Sequence, residues 1–164
     1  MSSELIIDNA IIDQFVNSVK KVLNITAGEE IEKHQIFLEQ SADIPGDISA
    51  LINIDGDLRG KIAVSFERDY ARTITSKIIG CEESELSDDD VQEGMGEIVN
   101  QVTGKVRTDL WNFGYRFNIS TPEIINGPIT QIKTKEITPV HIIVFKSSRS
   151  MFSVQINIVE KNIL

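Results

Sequence analysis

Apolar residues recur every three or four positions in two long stretches of the chain, which is the spacing of one face of an amphipathic helix. The first stretch covers residues 8–24, and the second begins near Ser87. The apolar positions are Ile7, Ile11, Phe15, Val19 and Val22 in the first stretch, and Val91, Met95, Ile98, Val102, Val106 and Leu110 in the second. We therefore predict two long helices that each turn one face toward a core. A shorter helix is predicted from residue 69 to residue 79, because Gly80 is a common residue just past a helix end.

Between the first two predicted helices, the apolar runs are short and rich in β-branched residues, which is typical of strands. Residues 34–39 form one predicted strand. Residues 48–54 and 61–66 flank the turn sequence Asp55-Gly56-Asp57, so these two runs are predicted to pair as a β-hairpin.

After the second long helix the chain again favours strands. Residues 115–120 form a predicted strand, and Pro122, Gly127 and Pro128 then indicate a loop or a sheet edge. A further β-rich segment covers residues 129–135. Residues 140–146 and 151–159 are predicted to form a second hairpin across the four-residue turn that begins at Ser147.

The two halves of the chain therefore share one order of elements, namely a long helix, a strand and a hairpin. Aligning Asn17 with Asn100 places Gln14 opposite Glu97, so only one copy carries the carboxylate. Any two amphipathic helices could align this well, and the repeat and the chance alignment both remain open. The predicted fold class is α/β (α+β), a layered sandwich in which two long helices pack on one largely antiparallel sheet. We expect residues 1–164 to form one domain.

Composition excludes several classes of function. The net charge of -9 would repel the phosphates of nucleic acids and the surfaces of anionic membranes. Acidic residues interrupt the apolar N-terminus, and no apolar run has the roughly 18 residues of a membrane span. With Cys81 as the only cysteine and two histidines, the usual zinc-binding spacings are absent. We expect a cytoplasmic protein with no metal or cofactor of its own.

The start of the second long helix carries three consecutive aspartates, at positions 88, 89 and 90. Ser87 and Asp90 match a capping box, and the aspartates place negative charge at the positive end of the helix dipole. A three-carboxylate metal site is the alternative interpretation. Capping is favoured over the metal site because neighbouring residues on a helix point in different directions.

The face opposite the apolar stripe of this helix holds the candidate chemistry. Glu93, Glu97, Asn100 and Gly104 fall within about 60° of one another at 100° per residue, so all four should face solvent. Glu97 and Asn100 are three residues apart, which makes their side chains neighbours. A carboxylate can pair with a partner's lysine, and an amide can hold a water in line with a phosphoryl group. The simpler interpretation is an ordinary solvated face.

Three glycines lie inside the same helix, although each should cost about 1 kcal/mol relative to alanine. They are Gly94, Gly96 and Gly104. Gly104 lies one turn beyond Asn100, where the missing side chain would let a partner approach the helix backbone. Relief of crowding against a neighbouring element is the alternative, and on sequence alone it is slightly favoured.

The stretch from Glu93 to Gly104, EGMGEIVNQVTG, followed by Pro122, resembles the signature helix of the CheC, CheX and FliY phosphatases of bacterial chemotaxis. The single intact Glu-x-x-Asn copy makes the chain most similar to the CheX-like members. Two features depart from the pattern: Glu93 stands where Asp or Ser is common, and Pro122 is one position nearer than in the CheC-like spacing. The charge of Glu93 would alter which regulator is accepted.

The resemblance implies an enzyme that removes the aspartyl phosphate from CheY-like response regulators. Glu97 would engage the regulator's active-site lysine, Asn100 would orient the hydrolytic water, and Glu93 and Gly104 would contact the partner. Mg²⁺ would belong to the regulator, and a homodimer is implied. A non-catalytic adaptor for a receiver or flagellar-switch protein is one alternative, and a ligand-sensing or structural dimer is another.

Overall fold

The computed structural model describes residues 7–39, 46–127 and 139–161. Three α-helices, one short 3₁₀ turn and seven strands lie within these ranges. The helices are α1 (Asn9–Ala27), α2 (Arg68–Ile79) and α3 (Asp88–Trp111), and the 3₁₀ turn is Glu83–Glu85. The strands are β1 (Glu32–Glu39), β2 (Ile48–Gly56), β3 (Leu58–Phe66), β4 (Phe117–Ile119), β5 (Glu123–Asn126), β6 (Val140–Lys146) and β7 (Met151–Glu160). The predicted strand at residues 129–135 lies outside the described residues.

The strands form one antiparallel sheet in the order β1-β6-β7-β3-β2-β4, and β5 also pairs with β2. The predicted α/β class and the antiparallel sheet are confirmed. Three helices rather than two pack on the sheet, because the short helix α2 also buries an apolar face that includes Tyr70 and Ile74. None of the helices in the described ranges has the length and apolarity that a membrane crossing requires.

The alternation of apolar and polar residues in the strands directs one set of side chains into the core beneath the helices. In β7 this set is Phe152, Val154, Ile156 and Ile158, all of which are buried. Phe152 also packs between the rings of Phe66 and Phe145 at centroid distances of 4.8 and 5.2 Å. The two predicted hairpins are confirmed, because β2 pairs with β3 and β6 pairs with β7, and the pairing of β3 with β7 joins the hairpins at the centre of the sheet.

The sheet order is symmetric about its central β7–β3 pair. The lone strand β1 of the first half pairs with the hairpin β6–β7 of the second, and the lone strand β4 of the second half pairs with the hairpin β2–β3 of the first. The helices meet near equivalent positions, since the Ser18 hydroxyl donates to the Val102 carbonyl at 2.8 Å. This arrangement supports the internal repeat over a chance alignment of two helices.

The segment after α3 forms a divided sheet edge. The predicted strand at residues 115–120 is shorter than expected, because only Phe117–Ile119 pairs with the end of β2. Pro122 then interrupts the pairing, and Glu123–Asn126 pairs with the beginning of β2. The chain between the proline and Gly127, predicted as a loop or edge, is therefore an edge strand that lies beside α3.

Candidate functional site

The N-terminus of α3 is fixed by the predicted capping box. The Ser87 hydroxyl accepts a hydrogen bond from the Asp90 backbone N–H at 3.1 Å, and the Asp90 carboxylate accepts one from the Ser87 N–H at 2.9 Å. Asp90 is therefore engaged in capping rather than directed toward its two acidic neighbours. Across the described ranges, no group of three or more His, Cys, Asp or Glu side chains is arranged to hold a metal ion.

The apolar stripe of α3 is buried along its whole length and fixes the rotation of the helix. Its six predicted residues are each at most 1% exposed. The opposite face must therefore point to solvent, and Glu93, Glu97 and Asn100 are all exposed. The sequence-based prediction that the acid and the amide project together from the solvent side of one helix is confirmed.

The three glycines of α3 have different surroundings. A Cβ at Gly94 would lie 2.8 Å from the Cγ2 of Thr75, so this glycine permits the close packing of α2 on α3. A Cβ at Gly96 would make only ordinary contacts of 3.8 Å. At Gly104 it would meet no atom of the described residues within 4 Å. Relief of crowding therefore explains Gly94, and the same explanation is wrong for Gly104.

Glu97 and Asn100 differ in their hydrogen bonds. The Oε1 atom of Glu97 accepts a hydrogen bond from the Nε2 atom of Gln101 at 2.7 Å. Gln101 lies one turn farther along the helix, so this contact engages one carboxylate oxygen of Glu97 and leaves the other, Oε2, available to another donor. The amide of Asn100 makes no hydrogen bond to any side chain or backbone group in the described part of the chain. Its donor and acceptor are both available to a partner.

The pair lies in a cleft of about 620 Å³ between α3 and the β4–β5 edge. Pro122 and Ile124 form the wall opposite the helix. Asp89, Glu93 and Glu97 make the helix side acidic, and no Lys, Arg, His, Ser or Cys lines the cleft among the described residues. Such a surface can receive a cation and position a water, and its described lining offers no hydroxyl, thiol, amine or imidazole as a nucleophile.

Two features at this cleft were not predicted from the sequence, namely the hydrogen bond of Gln101 to Glu97 and the wall formed by Pro122 and Ile124. Gln101 could have been identified, because residues four apart on a helix are neighbours and Gln101 follows Glu97 at that spacing. The sequence indicates Pro122 only as a break between elements and as part of the family resemblance. Its place in the wall beside Ile124 depends on how the edge strand lies against α3, which periodicity does not determine.

The equivalent position on α1 has different chemistry. Asn17 is exposed there, and it lines a separate cleft of about 400 Å³ whose charged residues are of both signs, Lys20, Lys21, Glu29 and Glu30. In the alignment of the two halves, Gln14 stands opposite Glu97, so α1 lacks the carboxylate. The two faces therefore share an exposed asparagine but have different charge.

Comparisons with known proteins agree on one group. The family model for chemotaxis phosphatase CheX matches residues 48–146. The chain is 24% identical over 127 residues to the CheY-P phosphatase CheX of Thermotoga maritima, an alignment that covers 77% of this chain and 82% of that protein.

Solved structures give the same result. The crystal structure of chemotaxis protein CheX from Desulfovibrio desulfuricans matches with a TM-score of 0.78 and 28% identity, over 93% of this chain and 99% of that one. A chain of the CheX-CheY-BeF₃-Mg²⁺ complex from Borrelia burgdorferi matches with a TM-score of 0.74 and 25% identity, over 92% and 98%.

Proposed function

We propose that this chain, which belongs to the chemotaxis phosphatase CheX family, hydrolyses the aspartyl phosphate of CheY-like response regulators. The relatives support this substrate class. One is named a CheY-P phosphatase, and another is described in complex with CheY, BeF₃ and Mg²⁺. The observation that carries the proposal is the exposed amide of Asn100, without a hydrogen bond of its own in the described structure, beside the acidic side chain of Glu97.

Asn100 is proposed to orient the hydrolytic water. An amide can accept a hydrogen bond from the water and donate one to a phosphoryl oxygen, which holds the water in line with the phosphorus atom. The phosphorus–oxygen bond to the receiver's aspartate breaks as the water oxygen attacks, and the products are inorganic phosphate and the free carboxylate. Holding the water in this geometry removes much of the entropic barrier to attack.

Glu97 is proposed to pair with a lysine of the receiver. Its Oε1 accepts a hydrogen bond from Gln101 at 2.7 Å, so the carboxylate has less side-chain freedom to lose when Oε2 binds a partner. Glu93 lies one turn before Glu97 in the same acidic cleft and would favour receivers that bring additional positive charge. Gly104 would leave room for the partner's surface one turn beyond Asn100.

The metal ion of the reaction is proposed to belong to the receiver. This chain would then complete a site that its substrate has already built, by adding the amide and the carboxylate. Mg²⁺ would neutralise charge on the phosphoryl oxygens while Asn100 acts on the water. A homodimer is expected from the resemblance alone, and light scattering of the purified protein would measure it.

Release of inorganic phosphate from phosphorylated receivers of the same genome tests the proposal. The wild-type protein should accelerate release from at least one receiver, and Asn100→Ala should lower the acceleration by about 100-fold, as loss of a transition-state contact does in other enzymes. Asn17→Ala is the matched control, because it removes an exposed asparagine from the equivalent place on α1. It should keep wild-type activity.

Two outcomes would contradict the proposal. One is no acceleration with any receiver of the genome, and the other is equal activity in Asn100→Ala and Asn17→Ala. Tight binding to a receiver without any phosphate release would identify the chain as a non-catalytic adaptor instead.

A further inference from the structure

The exposed stripe of α3 continues past Asn100 to the end of the helix. At 100° per residue, Trp111 lies about 20° from Asn100 around the helix axis and in line with Glu93. At 1.5 Å per residue it is about 16 Å farther along than Asn100. Gly104 lies between Asn100 and Trp111 and adds no side chain, and the exposed Arg107 follows it on the same stripe, about 20° from Asn100.

Trp111 is the only tryptophan of the chain, and 53% of its surface is exposed. Tryptophan is enriched at protein interfaces, because its ring buries a large apolar area while its N–H can still donate a hydrogen bond. A second cleft, of about 380 Å³, lies beside the indole and is lined by Gly104, Arg107, Thr108, Trp111 and Asn112. The end of the stripe therefore has a concave surface beside the indole.

The indole of Trp111 is held in place although it is exposed. The guanidinium carbon of Arg116 lies 3.4 Å from the ring centroid, which is the geometry of a cation–π contact. Arg116 is itself anchored, because its Nη1 atom donates to the Trp111 carbonyl at 2.9 Å and its backbone N–H donates to Asp57 at 2.8 Å. The aromatic surface thus loses little freedom when a partner covers it.

Charge divides the stripe into two ends. Asp89, Glu93 and Glu97 make the beginning acidic, and Arg107 and Arg116 make the end basic. A partner aligned along α3 would need a cation over the acidic beginning of the stripe and a carboxylate or carbonyl group over its basic end. Exposed tryptophan and arginine together are the residue types that contribute most to binding at protein interfaces.

We propose that Trp111, with Arg107 and Arg116, forms the second half of the docking surface for the phosphorylated receiver and sets its affinity. This inference rests on the proposed function, because it takes the receiver as the occupant and places its phosphoryl group over Asn100. The receiver contacts the indole with an apolar residue and Arg107 with an acidic or carbonyl edge. Trp111 acts on binding and does not touch the reacting atoms.

A single tryptophan allows a direct test in the wild-type protein. The chain is prepared with 5-fluorotryptophan, and its one ¹⁹F resonance is followed as an unlabelled receiver loaded with beryllofluoride and Mg²⁺ is added. The resonance is expected to shift or broaden in proportion to complex formed. Trp111→Ala is expected to raise KM for the phosphorylated receiver by about tenfold while the maximal rate changes less than about twofold.

Phe113→Ala is the matched control. Phe113 is 56% exposed, but it lies in the turn after α3 and outside the cleft that Trp111 lines. This variant should keep the wild-type KM, which separates loss of the docking contact from loss of any exposed aromatic side chain. Thermal unfolding of both variants shows whether the folded state is preserved.

The outcomes separate this inference from the proposed function. Normal turnover by the wild type, with an unmoved ¹⁹F resonance and an unchanged KM in Trp111→Ala, would overturn the docking role alone. No turnover and no complex with the wild type would overturn both. A change in the molecular mass of the free protein in Trp111→Ala would assign this face to a second copy of the chain and would also overturn the inference.

Discussion

Replacing Gly104 by alanine should make the protein more stable. A Cβ at this position meets no described atom within 4 Å, and the residue lies inside α3, so the substitution brings no clash. The gain is the intrinsic helix preference of alanine over glycine, about 1 kcal/mol in the free energy of unfolding. For a chain of this length that gain corresponds to a rise of about 2–4 °C in Tm.

Gly94→Ala is the matched comparison within the same helix. The added Cβ would lie 2.8 Å from Thr75 Cγ2 and closer still to the Thr75 hydroxyl. Overpacking of this kind costs about 1–3 kcal/mol, which equals or exceeds the gain in helix preference. Gly94→Ala should therefore be no more stable than wild type, and adding Thr75→Ala should reduce the clash and show coupling between the two positions. Thermal unfolding of the single and double variants measures these effects.

The cost of filling the Gly104 position should appear in partner binding. Gly104→Gln introduces a good helix former, but it places a long side chain between Asn100 and Trp111, on the surface proposed to face the receiver. KM for the phosphorylated receiver should rise by about tenfold, which is about 1.4 kcal/mol of lost binding, while Tm stays at or above the wild-type value. A stabilised Gly104→Gln protein with an unchanged KM would refute the idea that this space serves a partner. A Gly104→Ala protein that is less stable than wild type would refute the claim that a Cβ at this position meets no neighbouring atom.

Two further predictions concern residues outside the proposed catalytic pair. Gln101→Leu removes the 2.7 Å hydrogen bond to Glu97 and should raise KM about threefold to tenfold with Tm nearly unchanged, whereas wild-type kinetics would show that the contact does not position the carboxylate. Burial lowers the pKa of His141 below its ordinary value of 6.5, so the unfolded chain takes up the proton first and stability should fall as the pH drops below about 6.5. Thermal unfolding at pH 7.5 and pH 5.5 should show a smaller loss in His141→Gln than in wild type, and parallel losses would contradict this assignment.

Periodicity was sufficient to predict the helices and hairpins of this fold. The stripe from Val91 to Leu110 fixes both the extent of α3 and its rotation, because every one of its apolar positions is buried. The exposure of Glu97 and Asn100 then follows directly from helix geometry. The strand β5 was harder to identify, because its two central residues, Ile124 and Ile125, are too few to show alternation.

The surroundings of individual residues could not be predicted in the same way. Gly94 and Gly104 are the same residue type in the same helix, yet one lies against Thr75 and the other faces open space. Helix geometry places Gly104 on the exposed face, but the contact of Gly94 with Thr75 depends on how closely α2 packs on α3, which periodicity does not determine. Trp111 likewise needs Arg116, which is outside the helix, to hold its ring, and no sequence spacing indicates a contact across a turn.

The most direct test of the central claim separates chemistry from binding at Asn100. The rate constant for receiver dephosphorylation is measured at saturating Asn100→Ala protein, and Kd for the beryllofluoride-loaded receiver is measured on the same preparation. We predict a rate about 100-fold or more below wild type with Kd changed less than about threefold, because the amide acts on the water and not on the complex. A retained rate, or a rate and an affinity that fall together, would contradict the role of Asn100 in orienting the hydrolytic water.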